Sequence, residues 1–175
     1  MNYDKRLFDY LSDQLREHPL DKAFGWKVNG QWTYLSSSEM VAMVNRASHG
    51  LLNLGLKKGD KVATIVYQTQ PEWVALDYAL LQIGVLNIPM YPTISSREYE
   101  YILNESEAQY CIVGAGDLYD KVMAAKPKTP ATTTPCPKPW PHWTHSNTIC
   151  TKTTNSNSKP SNKPNWQHWK PAANT

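Results

Sequence analysis

Three short runs of apolar, β-branched residues recur at a fixed interval: Lys61 to Val66, Val85 to Ile88 and Gln109 to Val113. They begin at positions 61, 85 and 109, an interval of 24 residues each time. That length accommodates a strand, a short helix and two tight turns. Runs without polar alternation suit strands covered on both faces, which is the condition of parallel strands joined by helices. The stretch from Lys61 to Gly114 therefore predicts a parallel β-α-β-α-β unit, with right-handed crossovers that pack their helices on the sheet.

The segments between the runs support the same reading. Pro71 stands where a first helical position favours proline, and Gly84 stands where the helix must stop. Trp73, Leu76, Leu80 and Ile83 form one stripe at helical spacing, which Val74, Tyr78 and Leu81 widen, so this helix is expected between layers. The next helix opens on Ser95 to Glu98, a capping box that predicts Tyr99, Ile102 and Leu103 against the sheet.

Upstream, Arg6 to Glu17 reads as an amphipathic helix with Leu7, Tyr10, Leu11 and Leu15 on one side, a packing helix and not a lysine-rich membrane-surface one. Asn29-Gly30 between two apolar runs, Ala23 to Val28 and Gln31 to Leu35, is a hairpin signal because both turn positions require positive φ. Ser36 to Glu39 is a second capping box, and Met40, Val44, Ala47, Leu51 and Leu54 follow at helical spacing until Gly55. Met40 and Met43 read as core filling, and His18 and His49 as a helix-end and a surface residue. Asp117 to Ala125 closes the ordered part as a short helix with Leu118, Val122 and Met123 apolar.

Composition divides the chain in two. Up to Ala125 there are eleven basic and fifteen acidic residues; beyond it stand seven lysines and no acid. Residues 126–175 hold nine prolines and ten threonines but a single branched aliphatic residue, Ile149. Such a segment cannot bury enough apolar surface to offset its ordering entropy, so a disordered, low-complexity tail is expected. Its alphabet is what A- and C-rich coding yields when read out of frame. Cys136, His142, His145 and Cys150 match no familiar zinc spacing. Trp140, Trp143, Trp166 and Trp169 among lysines would suit stacking on single-stranded bases, but weakly and without a groove.

In an open parallel sheet, ligands bind beyond the carboxyl ends of the strands. Tyr67 and Gln68 after the first run and Tyr91 after the second are the substrate-crevice candidates on that rule. The first turn lacks glycine, so a dinucleotide fingerprint is absent, and Gly114-x-Gly116 alone reads as a plain turn. No nucleophile triad, carboxylate pair, redox cysteine pair or phosphate loop is visible. No catalytic, cofactor-binding or metal-ligating residue is assigned to this chain.

Thr33-Tyr34, then Leu56-x-x-Gly59-Asp60-Lys61-Val62-Ala63, Pro71-Glu72-Trp73, and the run Ile83 to Thr93 ending Pro89-Met90-Tyr91-Pro92-Thr93 resemble the AMP-forming acyl-CoA synthetases, most of all their long-chain fatty acid members. Ser95 to Asn104 with Ser106-Glu107 resembles the block that follows. The likeness covers about residues 1–125 and implies a truncated N-terminal part of that α/β domain. It implies that a fatty carboxylate attacks the α-phosphate of ATP, and that CoA then displaces AMP, with Mg²⁺ and basic groups on the phosphates. The family's phosphate loop, Mg²⁺-binding Thr-Glu pair, ribose-binding aspartate and lid lysine have no counterparts here. The implied chain is an inactive fragment, with ATP, Mg²⁺ and CoA belonging to the whole enzyme.

The rival reading is a non-catalytic interaction module whose basic, Trp-containing tail binds an acidic partner, nucleic acid being the less favoured choice. Apolar faces left uncovered predict self-association. No run approaches the roughly 18 apolar residues of a membrane span. A cytoplasmic location is expected, with peripheral membrane attachment left open.

Overall fold

The computed structural model describes residues 5–114 and 116–125, together with the backbone of two strands at 131–135 and 149–153. The elements in order are α1 (Asp9–Glu17), β1 (Phe24–Val28), β2 (Gln31–Leu35), α2 (Ser37–Asn53), β3 (Lys61–Ile65), α3 (Pro71–Gln82), β4 (Leu86–Met90), α4 (Ser96–Ser106), β5 (Tyr110–Val113), α5 (Gly116–Ala124), β6 (Ala131–Pro135) and β7 (Ile149–Thr153). The fold is α/β, with the parallel unit preceded by a helix, an antiparallel hairpin and a second helix.

β3 is the centre of the parallel unit. It pairs with β4 on one side and β5 on the other, Val62 standing opposite both Asn87 and Tyr110. The chain thus steps from β3 to one neighbour and then crosses back over β3 to the other. Crossovers of one hand that run in opposite directions must place their helices on opposite faces, and the core shows this division. Val62, Tyr110 and Ile112 point into a cluster with α2 and α3, whereas Ala63, Ile65, Cys111 and Val113 point into a second with α4 and α5.

Local chemistry sets the element ends. Ser36 and Ser95 each accept the backbone N–H of a glutamate three residues on, Glu39 and Glu98, whose carboxylates return to the serine N–H. Asn29 and Gly30 take φ of 50° and 81°, the left-handed pair that a two-residue hairpin turn needs. Lys61 N–H donates to the Gln109 side chain at 2.6 Å, and the Gln109 N–H donates to the Lys61 carbonyl at 3.0 Å, fixing the start of β3 against β5.

Several expectations change in the fold. α1 starts at Asp9 and buries only Leu11, packing mainly against α2 and leaving Leu7 and Tyr10 exposed. In α3 the buried face is Pro71, Ala75, Ala79 and Leu80, while Trp73, Leu76 and Ile83 are half-buried. Small alanines let α3 approach α2 closely, and backbone proximity outweighs the larger side chains. Ser48 on α2 reinforces the contact by donating to Gln82 at 2.6 Å. β4 is the sheet edge, and it exposes Leu86 and Pro89, proline being tolerated where no ladder N–H is needed. Met123 is exposed instead of packed.

Within 126–175, β7 pairs antiparallel with β5, and β6 with β7. The open edge of β5 offers unpaired N–H and C=O groups, and the added strands are rich in threonine, whose β-branched side chain favours extended backbone. Cys150 lies in β7. The other candidate zinc ligands, Cys136, His142 and His145, the four tail tryptophans and the remainder of the expected disordered tail lie outside the described residues.

Candidate functional site

The crossover that reverses direction puts a break between β3 and β5. From the carboxyl end of β3 the chain leaves toward α3 on one face; from β5 it leaves toward α5 on the other. The opening between two such divergent exits is where α/β sheets receive ligands. Gly114 closes its floor: its N–H donates to the Ile65 carbonyl at 2.9 Å, and a Cβ there would come within 3.0 Å of Val66 Cγ1.

Tyr67 and Gln68 stand exposed at the β3 end of this opening, and Tyr91 stands exposed beyond the neighbouring strand β4. The Tyr67 hydroxyl donates to the Asp117 carboxylate, joining residues fifty positions apart across the break. That hydrogen bond, with the carboxylate charge behind it, holds the Tyr67 phenol above its ordinary pKa. Tyr91 contributes its backbone to the site: its carbonyl accepts from the Tyr99 hydroxyl at 3.0 Å. Tyr99 is fully buried, and burial pushes its phenol up to about 12, so it serves as a fixed neutral donor. Lys121 of α5 donates to the Pro92 carbonyl at 2.8 Å and stands 5.2 Å from the centre of the Tyr99 ring. Tyr99, Lys121 and the β4 exit thereby form one braced rim.

Asp117, Tyr99 and Lys121 are the residues that sequence reasoning did not assign to the site. Applying the strand-end rule to β5 as well as β3 points to Asp117, which follows that strand directly. Tyr99 and Lys121 read as a core and a surface residue of separate helices, and only packing brings them together. The one described thiol, Cys111, is buried in β5, which pushes it up to about 12; it is therefore core and not a nucleophile.

A family model described as AMP-binding enzyme matches residues 11–173. The chain belongs to the AMP-binding enzyme family. The long-chain-fatty-acid–CoA ligase FadD15 of Mycobacterium bovis is 36% identical over 81 residues, which are 46% of this chain and 13% of that protein. A solved fatty acyl CoA synthetase of Mycobacterium tuberculosis superposes with a TM-score of 0.50 at 28% identity, over 54% of this chain and 19% of the other. The N-terminal domain of FACL13 from Mycobacterium tuberculosis shares the fold, with a TM-score of 0.57 at 22% identity, over 69% of this chain and 31% of that domain. The chain matches about an eighth of the length of its FadD15 relative.

Membership of the AMP-binding enzyme family brings Mg²⁺ into question as a bound partner of ATP. Among the described residues no three His, Cys, Asp or Glu side chains converge as metal ligands. Asp117, the carboxylate at the opening, is engaged by Tyr67. The described residues do not fit a resident cation. What the opening supplies is phenol, amide, carboxylate and backbone carbonyl groups, a set suited to orienting a polar ligand. No described helix is long and apolar enough to cross a membrane.

Proposed function

We propose that this chain supplies one part of a long-chain fatty acid–CoA ligase, an enzyme that joins a fatty acid to CoA while ATP is converted to AMP and diphosphate, and that by itself it does not carry out the reaction. The identity with FadD15 over 81 residues, inside the AMP-binding family match, carries this reading.

The chemistry at the opening supports the second half of the proposal. Transfer at the α-phosphate of ATP needs several cationic or N–H donors converging on the phosphate oxygens. Lys121 is the ammonium braced at this rim, and it is committed to the Pro92 carbonyl. Tyr67, Gln68 and Tyr91 then act as crevice residues that orient a bound group in the complete domain, and fatty acid, ATP and CoA are ligands of that domain. The same proposal divides the chain into a domain part, 1–125, and a tail, 126–175. No observation among the described residues favours the interaction-module alternative.

Two assays test the proposal separately. The purified chain incubated with palmitate, ATP and CoA is expected to give no thioester; formation of acyl-CoA overturns the incompetence of the isolated chain. In a chimera, the matching 81 residues of Mycobacterium bovis FadD15 are replaced by those of this chain. The folded chimera is expected to form acyl-CoA, and a folded but inactive one overturns the assignment as ligase scaffold.

A further inference from the structure

The hairpin β1–β2 carries an aromatic shelf that the function above does not use. Its register sets Gly25 opposite Tyr34 and Lys27 opposite Trp32, so these four residues share one face. The other face carries Phe24 and Leu35, which pack on the core and hold the hairpin in place. On the outer face Trp32 and Tyr34 stack with centroids 6.2 Å apart and planes 17° from parallel, 59% and 43% exposed. Gly25 makes room for the Tyr34 ring, since a Cβ there would stand 3.1 Å from it. The Lys27 ammonium lies 5.1 Å from the Trp32 centroid, and the Lys22 ammonium 4.8 Å from that of Tyr34.

From this arrangement we infer that the outer face of the hairpin is a docking surface for an anionic lipid bilayer. Between Asp21 and Glu39 the chain has two lysines and no acid, so the hairpin's own charge is entirely positive. Tryptophan and tyrosine, apolar in body and polar at the tip, settle at the level of lipid headgroups. Lysine ammoniums beside them meet the phosphates and carboxylates of acidic lipids. A protein partner would select differently, because lysine is depleted where protein interfaces bury aromatic residues. The surface lies on the membrane and does not enter its core, since a two-stranded hairpin leaves edge N–H and C=O groups that need water. This inference rests on the hairpin alone and is independent of the ligase reading.

The test is co-sedimentation of the full chain with phosphatidylcholine vesicles, with and without phosphatidylserine. Binding is expected only with phosphatidylserine. K22Q/K27Q should weaken it about fivefold for each lysine removed. W32S/Y34S should weaken it by at least about tenfold. K57Q/K58Q removes the same charge from the exposed turn between α2 and β3, outside the hairpin, and should leave binding within about twofold. Equal weakening by the two lysine pairs assigns binding to overall charge and overturns the inference. Equal binding to neutral vesicles, or none to acidic ones, overturns it as well. The lysine pair leaves the aromatic packing in place, so its result stands even where W32S/Y34S fails to fold by circular dichroism.

Discussion

β3 and the hairpin strands are each five residues long, β3 built on β-branched residues and the hairpin on aromatic ones, and they meet opposite surroundings. Four of five β3 residues are buried, with neighbours on both faces and both edges, whereas β1 and β2 have no fully buried residue. Burial follows position in the sheet. β3 lies between two parallel partners, and the crossovers that reach them cover it with helices on either side. The hairpin closes on itself through Asn29-Gly30, needs no crossover, and leaves one face open. The parallel unit therefore bears stability, and the hairpin is free to present a surface.

Four substitutions test this contrast. Ile65→Ala removes a fully buried side chain from the centre of the second core cluster and should destabilise the chain by about 2–5 kcal/mol, read as a shift in the urea midpoint. A loss below about 1 kcal/mol would mean that β3 is not the structural centre.

Gly84→Ala comes next. At φ +71° an alanine is strained, and its Cβ would come within 2.9 Å of Lys58 Cγ, so a loss of about 1–3 kcal/mol is expected. Gly30→Ala in the hairpin has φ +81° but open space around it, which leaves backbone strain alone, about 1–2 kcal/mol. Urea unfolding of the two side by side sharpens the comparison. Equal losses would show that the Lys58 stem yields freely and that crowding adds nothing to the parallel unit.

The smallest effect belongs to Val28→Ala at the exposed tip, expected within about 0.5 kcal/mol of the parent. A loss matching that of Ile65→Ala would break the contrast between the two regions.

The candidate site was less legible than the fold. Tyr67, Gln68 and Tyr91 followed from the rule that ligands meet the carboxyl ends of strands, which needs only strand boundaries. Asp117 lay within reach of the same rule applied to β5, but its meeting with Tyr67 depends on β5 being the neighbour of β3, a fact that no local pattern encodes. Tyr99 read correctly as a residue facing the sheet, but its hydroxyl contact with the Tyr91 carbonyl depends on how α4 seats against the β4 exit. Pro89 did carry a readable signal, since proline in a strand marks an edge, and β4 is one.

What the sequence by itself determined is whatever depends on residues a few positions apart: both Ser–Glu capping boxes, the positive-φ turn at Asn29-Gly30, the glycine after α3, and the three apolar runs that became β3, β4 and β5. Tertiary structure alone decided the strand order, the face of α3 that is buried, and the meeting of Tyr67 with Asp117. The physical reason is range. A cap or a turn gains its hydrogen bonds from its own backbone, whereas burial and strand pairing draw their free energy from surfaces that distant parts of the chain bring together only once it has folded.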